Sequence, residues 1–211
     1  MKRFTILLGL IVCISACSSA YYGTMESLGV HKRDILVDRV EDARDAQADG
    51  QEQFESAFAQ FKSVVKVAPS ELESTYDKLN AEYEKSVASA EKIEDRIDAI
   101  EDVADALFDE WEDELDRYSS QALKKDSEQK LKTTKAKYAQ MIKLMKASEK
   151  RIQPVLEAME DQVLFLKHNL NTRAIDSLKQ EVVRIDNDVE QLISALKQSI
   201  AEADRFVQSM K

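Results

Sequence analysis

Cys13 and Cys17 are the only two thiols in this chain of 211 residues. A thiol can form a disulfide, bind a metal ion or act as a nucleophile. The pair has three residues between its members, with no second cysteine pair and no nearby histidine, so it lacks the four ligands of a structural zinc site. A disulfide would be lost if processing removed Cys13. The remaining chemistry is that of a single nucleophilic thiol.

The first 16 residues have the layout of a secretory signal peptide. Lys2 and Arg3 form a short basic region, residues 4–14 (FTILLGLIVCI) form an apolar run, and Ser15-Ala16 are small. The run is too short to span a bilayer, which takes about 20 apolar residues. The alternative is a buried N-terminal helix, which the basic flank and the small-residue exit disfavour. We therefore predict that residues 1–16 are a signal peptide.

The tetrad Ile14-Ser15-Ala16-Cys17 resembles a bacterial lipobox. In that chemistry the thiol takes a diacylglyceryl group, the small residues admit the signal peptidase, and the freed amine of the cysteine is acylated. Several acyl chains give a firm anchor, at about 0.8 kcal/mol per buried methylene. Ser18-Ser19 follow the cysteine, without the Asp that retains lipoproteins in the inner membrane of Gram-negative bacteria. The resemblance thus implies a lipid anchor on Cys17 at the periplasmic face of the outer membrane.

The composition is typical of long helices. Charged residues make up 33% of the chain and hydrophobic residues 44%, with only four Gly and two Pro. The net charge is −10, and removal of Lys2 and Arg3 with the signal peptide leaves 28 basic against 40 acidic residues, or −12. Such a surface repels phosphates. Nucleic acid and electrostatic docking on a membrane surface are therefore disfavoured.

Apolar residues recur in steps of three and four, which predicts helices over residues 26–67, 71–118, about 130–170 and 173–210. No stretch alternates as a strand does. We predict an all-α fold, an elongated antiparallel bundle of about four long coiled-coil-like helices. A three-helix arrangement with one helix extending outward is the alternative. The predicted division is a signal peptide (1–16), a lipidated tether (17–25) and a bundle domain (26–211), with Tyr21 and Tyr22 of types found at lipid headgroups.

Several residues predict local features of the helices. Gly50 favours a bend or a close helix contact, Ser70 with Glu73 a capping box, and Pro154 a kink in the third helix. Asn169 or Asn171 suits a left-handed helix end, and Asn171 also suits a helix start. Folding about residue 119 or 120 would pair acidic residues of 101–116 with the lysines after the turn, Glu114 with Lys125 and Glu110 with Lys130. This pairing is favoured over an acidic surface that binds a basic partner or cations.

No motif for catalysis, a metal or a cofactor is present in the sequence. The text nearest to a phosphate loop, Gly23 to Gly29, has the wrong spacing and Val30 at the lysine position. His31 and His168 are far apart and fit no metal motif, and the EF-hand and G-x-S-x-G patterns are absent. We predict no enzyme, no cofactor, no metal and no nucleotide.

Three blocks carry a resemblance to a known family: residues 25–47 (MESLGVHKRDILVDRVEDARDAQ), 163–182 (VLFLKHNLNTRAIDSLKQEV) and 199–206 (SIAEADRF). Together they resemble domain-of-unknown-function family twenty-nine fifty-nine (DUF2959), long-helix proteins that are largely proteobacterial lipoproteins. The resemblance implies no known activity, catalytic residue or ligand. Some members carry a DNA-repair ATPase label, which the missing phosphate loop and the signal peptide contradict.

Within the second block, His168, Asn169 and Asn171 concentrate hydrogen-bonding groups in one turn. In an antiparallel bundle this turn lies at the end opposite the chain start, so we predict it as a partner-contact surface away from the membrane. The predicted function is a non-enzymatic outer-membrane lipoprotein that acts as a periplasmic scaffold or adaptor for a protein or cell-wall partner. The alternative is a ligand-binding helical module with a pocket near Gly50 or Pro154; an envelope hydrolase is the least favoured class.

Overall fold

The computed structural model describes residues 21–22, 24–26, 28–169 and 172–211. Cys13, Cys17 and the predicted signal peptide lie outside these residues. Five helices of four turns or more follow one another: α1 (Lys32–Ser63), α2 (Leu72–Leu115), α3 (Gln121–Glu149), α4 (Ile152–His168) and α5 (Thr172–Met210). Two short 3-10 helices, Val64–Lys66 and Pro69–Glu71, join α1 to α2. The described residues include no strand, and the predicted all-α fold is confirmed.

The helices pack as an antiparallel bundle. α1 packs on α2 and α5, and α3 and α4 together form the remaining rod, which also packs on α2 and α5. At one end Lys32 Nζ binds Glu110 Oε1 at 3.0 Å, so the chain start meets the end of α2. At the other end the 3-10 helix Val64–Lys66 packs on α5. We call the first end, formed by residues 21–31 as described and the α2–α3 turn (116–120), the base; the other end, formed by residues 64–71 and the end of α4, is the tip.

The core follows the three-four spacing of the sequence. In α2 the fully buried residues Ile93, Ile97, Ile100 and Ala104 lie on one stripe, and they belong to the same core as Phe54, Phe61 and other apolar side chains of the neighbouring helices. With 44 residues, α2 is about 66 Å long. The bundle is therefore elongated, with its base and tip separated by most of this length.

Pro154 divides the third predicted helix into α3 and α4. Proline has no N–H to donate to the carbonyl of Lys150, four residues earlier. The two intervening residues, Lys150 and Arg151, keep right-handed helical backbone angles (φ −58°, ψ −19° and φ −85°, ψ −12°). The backbone therefore stays in the helical region across the interruption, and the single kinked helix of the sequence prediction becomes two helices of one rod.

Several predicted helix boundaries are wrong. Ser70 does not cap α2: the residue before the helix is Glu71, whose carbonyl accepts from the hydroxyls of Ser74 (3.0 Å) and Thr75 (2.8 Å). α2 ends at Leu115, three residues before the predicted end, and α3 already begins at Gln121. Ser120 is the N-cap of α3, because its Oγ accepts from the backbone N–H of Leu123 at 3.4 Å.

The predicted ion pairs between α2 and α3 are also wrong in their partners. Lys130 binds Asp126 within α3, and Glu114 binds Arg117. The observed cross-helix pairs are Lys124–Asp116 (2.9 Å), Lys135–Glu112 (2.6 Å) and Lys146–Glu101 (2.5 Å). The earlier end of α2 changes the register, while the general complementarity remains, since α2 has 16 acidic and 4 basic residues and α3 has 8 lysines and 3 acidic residues.

Candidate functional site

A buried polar layer crosses the middle of the bundle. Gln47 of α1 donates from Nε2 to Ser148 Oγ of α3 at 3.0 Å and accepts at Oε1 from Ser199 Oγ of α5 at 2.8 Å. Ser148 in turn donates to the carbonyl of Met145 at 2.7 Å. All three side chains are completely buried. The hydrogen bonds link three helices, and the amide and two hydroxyls have no titratable group among them, so the layer is structural.

Gly50, one turn along α1 from Gln47, marks the closest approach of α1 to α2. A Cβ atom built on Gly50 would lie 2.7 Å from Ile93 Cδ1. α1 runs unbroken through this position. The predicted close helix contact is therefore confirmed and the predicted bend is not found. Ile93 occupies the space beside Gly50 where the sequence placed a possible ligand pocket.

Gln162 of α4 is a second polar side chain in the core. It is buried, and neither its Nε2 nor its Oε1 has a hydrogen-bond partner among the protein atoms. Sequence reasoning missed both Gln47 and Gln162. The available signal was a glutamine inside an apolar stripe, next to Ala43 and Ala46 for Gln47 and next to Met159 and Val163 for Gln162.

The start of the described chain folds back onto the bundle at the base. The N–H groups of Leu28 and Val30 both donate to the carbonyl of Met25 at 3.0 Å, and Gly29 adopts φ +83°, which favours glycine. This turn reverses the chain before α1 and places Tyr22 in the core. Burial and the nearby Asp102 carboxylate raise the pKa of Tyr22. Tyr22 therefore belongs to the packed bundle, whereas Tyr21 is exposed.

Two carboxylates hold the first residue of α1 at the base. Lys32 Nζ lies 2.5 Å from Glu26 Oε1 and 3.0 Å from Glu110 Oε1. Burial opposes the charge of this ammonium group, but the two hydrogen bonds prevail and raise the pKa of Lys32. The ion pairs tie Glu26 and the start of α1 to the end of α2 at the base.

The predicted contact residues lie at the tip. His168 is exposed and is the last residue of α4. Asn169 follows it and donates from Nδ2 to the carbonyl of Phe165 at 2.9 Å, which caps the helix end. Its backbone has φ −134°, so the predicted left-handed conformation is wrong for this residue. Asn171 lies outside the described residues. Leu164 and Phe165 are exposed beside these residues.

A shallow groove of about 1,000 Å³ crosses the outer face of α5. Its apolar lining includes Phe58 of α1, Leu144 of α3, and Val189 and Ile193 of α5. Ion pairs lie among its lining residues: Lys62–Asp186 (2.7 Å), Lys197–Glu55 (3.9 Å) and Arg205–Glu202. The charges at its edges are thus largely engaged within the protein.

Acidic side chains are numerous on α2, but the described part of the chain contains no group of three or more His, Cys, Asp or Glu that could hold a metal ion. The carboxyl group of Glu149, the last residue of α3, has a raised pKa. Burial, with the charges of Glu94, Asp98 and Glu101 across the interface, raises the pKa of Glu149. Lys146 bonds to Glu101 in the same cluster at 2.5 Å and offsets part of this repulsion.

Within the described ranges, no helix is both long enough and apolar enough to cross a membrane. The fold is an all-α bundle, with buried polar contacts that are structural. A family model described as "Protein of unknown function (DUF2959)" matches residues 21–210. The chain therefore belongs to the DUF2959 family. No curated protein and no solved structure matches it.

Proposed function

We propose that this protein is a non-enzymatic lipoprotein of the outer membrane, anchored through Cys17 at the periplasmic face, whose bundle acts as a scaffold or adaptor. The observation that carries the proposal is the tetrad Ile14-Ser15-Ala16-Cys17, placed directly after a signal-peptide layout and four residues before the described bundle begins. A lipid anchor at the base of a rod about 66 Å long holds the opposite end away from the membrane.

The tip is the contact surface in this proposal. It exposes His168, Leu164 and Phe165 together, which combines a hydrogen-bonding ring with apolar area in the manner of protein interfaces. Asn169 is partly exposed, with its amide engaged in capping, so its contribution is to hold the helix end in place. The partner is a protein or a component of the cell wall.

Replacing Cys17 with serine should release the protein from membranes, because a serine hydroxyl cannot take the diacylglyceryl thioether. We expect the wild-type protein to sediment with the outer membrane and to have the mass of residues 17–211 plus acyl chains. The Cys17→Ser variant should lack this mass and leave the outer-membrane fraction. Fractionation and intact-protein mass spectrometry measure both.

Cys13→Ser is the matched control, since it removes the other thiol from a segment that is discarded. This variant should be lipidated and membrane-bound like the wild type. Unchanged membrane fractionation of Cys17→Ser, without an acyl mass on the wild type, would contradict the anchor.

The groove over α5 favours the second candidate, a ligand-binding module of the cell envelope. Its apolar lining is continuous with the core through Phe58 and Val189, both of which are nearly buried. A crosslinking experiment distinguishes the scaffold from the ligand-binding module. A scaffold should give a specific protein or cell-wall crosslink from a photoreactive residue at His168, with none from the same residue at exposed Lys143 on the side of α3.

The opposite pattern would favour the ligand-binding module. In that case the His168 position would give no specific crosslink, and a set of small metabolites or lipids would raise the unfolding temperature of the purified protein. A variant with a charged residue at Ile193, in the groove, would abolish that shift.

A further inference from the structure

The large hydrophobic side chains that are exposed among the described residues lie at the two ends of the bundle. Six large ones are exposed. Leu164 and Phe165 are at the tip, while the other four are at the base: Tyr21, Leu28, Tyr118 and Leu123. Leu28 and Leu123, at 72% and 60% exposure, are the two most exposed of all six. Leucines so open to water at one end of a highly charged rod indicate a surface that is covered in the working protein.

The position of Cys17 identifies what covers the base. Tyr21 is four positions after Cys17, so the two α-carbons are at most about 14 Å apart. The seven positions from Tyr21 to Leu28, at the helical rise of the residues described there, add about 10 Å. Acyl chains on Cys17 therefore keep Leu28 within about 25 Å of the lipid interface, whereas the tip lies up to about 66 Å from the base.

Two of the orientations that satisfy this distance limit are distinguished by their surface charges. In the first, the rod lies flat with the face shared by α1 and α2 on the headgroups. That face exposes a series of carboxylates, with arginine and lysine partners for only some of them: Asp38, Asp42, Asp49, Asp95 and Asp102. Anionic phospholipids repel such a face.

In the second orientation the rod stands on its base. Leu28 and Leu123 then enter the interfacial region, and the tyrosines Tyr21 and Tyr118 lie at the headgroup level that aromatic residues favour. Lys125, two residues after Leu123, is exposed and can meet headgroup phosphates, while Lys124 binds Asp116 at 2.9 Å. This orientation covers the exposed leucines and keeps the acidic face of α1 and α2 in water.

We propose that the base is a lipid-contacting surface, in which Leu28 and Leu123 insert into the interface of the leaflet that holds the Cys17 anchor and so hold the bundle upright. The proposal rests on the proposed lipidation. It assigns a role to Leu28 and Leu123, which are exposed and add nothing to the core. The occupant is the phospholipid leaflet itself.

Single-cysteine labelling tests this directly, because the mature lipoprotein has no thiol apart from the modified Cys17. Leu28→Cys, Leu123→Cys and, as the matched leucine at the tip (49% exposed), Leu164→Cys are labelled with an environment-sensitive fluorophore. The lipidated proteins are reconstituted in vesicles of phosphatidylethanolamine and phosphatidylglycerol. Labels at 28 and 123 should shift their emission to the blue and lose intensity with a headgroup-borne quencher, while the label at 164 should do neither.

An Asp95→Cys label on the exposed face shared by α1 and α2 reports the flat orientation. If this label is quenched and labels 28 and 123 behave like label 164, the upright orientation is wrong, although the lipid anchor is still supported. If the protein lacks the acyl mass and does not float with the vesicles, both the proposed lipidation and the proposed contact of the base with lipid are wrong. Circular dichroism of each labelled variant checks that the helical content is unchanged.

Discussion

Replacing Gly50 with leucine should lower the free energy of unfolding by about 3 kcal/mol, which is a large part of the stability of an ordinary domain. Gly50 is buried at the contact of α1 with α2, and even a Cβ would lie 2.7 Å from Ile93 Cδ1. Ile93 is itself completely buried and cannot turn away into solvent. A leucine there forces the two helices apart. Urea unfolding followed by far-ultraviolet circular dichroism measures the loss.

Two further variants separate the packing effect from helix propensity. Ala48→Leu puts the same side chain at an exposed position of the same helix and should change the stability by less than about 0.5 kcal/mol. Ile93→Ala alone should cost about 2–5 kcal/mol by leaving a cavity. Gly50→Leu with Ile93→Ala should then cost clearly less than the two single variants added together. Strict additivity would mean that residues 50 and 93 do not compete for one space.

Replacing Gln47 with leucine should lower the free energy of unfolding by about 1–3 kcal/mol, although it adds apolar area to the core. Without the amide, the buried Ser199 hydroxyl loses the acceptor to which it now donates at 2.8 Å. Ser148 loses its donor but keeps the carbonyl of Met145. The cost is thus mainly that of one orphaned hydroxyl, and the same urea titration measures it.

The triple variant Gln47→Leu, Ser148→Ala and Ser199→Ala is the matched control. It removes every member of the polar layer, so no buried group is left unpaired, and its stability should return to that of the wild type or exceed it. A triple variant as unstable as Gln47→Leu alone would show that shape, and not hydrogen bonding, sets the cost. If the layer also fixes the alignment of the helices, the triple variant should show broader NMR lines at equal or higher stability.

The helices could be predicted because their signal is local. Ile93, Ile97 and Ile100 recur at helical spacing, and each is completely buried. The ends of the helices were harder to predict, since a cap depends on which of several polar residues accepts the hydrogen bond from the first turn. Ser70 and Ser120 are both suitable caps by type, and only Ser120 has this role.

Contacts between helices could not be predicted in detail because they depend on register. A shift of a few residues at the α2–α3 turn pairs Lys124 with Asp116, whereas the sequence predicted an ion pair between Lys125 and Glu114. The polar layer is harder still, since Gln47 lies 101 residues from Ser148 and 152 from Ser199. A glutamine in an apolar stripe needs hydrogen-bond partners in the core, but the sequence does not indicate which residues supply them.

Predictions about the candidate site also differ in whether they depend on local sequence or on the topology of the fold. The prediction for Cys17 depends only on its immediate neighbours in sequence, whereas that for the tip depended on topology. The antiparallel packing places His168 at the end opposite the chain start, as predicted, but Asn169 caps the helix through its side chain instead of the left-handed backbone that the sequence suggested.

The interruption at Lys150 and Arg151 has a mechanical consequence. A break in a lone helix is a hinge, but here α2 and α5 run unbroken alongside it: Lys146 binds Glu101 of α2, and Arg151 binds Gln191 of α5 at 2.7 Å. The interruption is flanked on two sides by continuous helices of 44 and 39 residues, so the rod can bend there only if those helices bend as well. We therefore expect the bundle to resist bending at this position and to move as one rigid body.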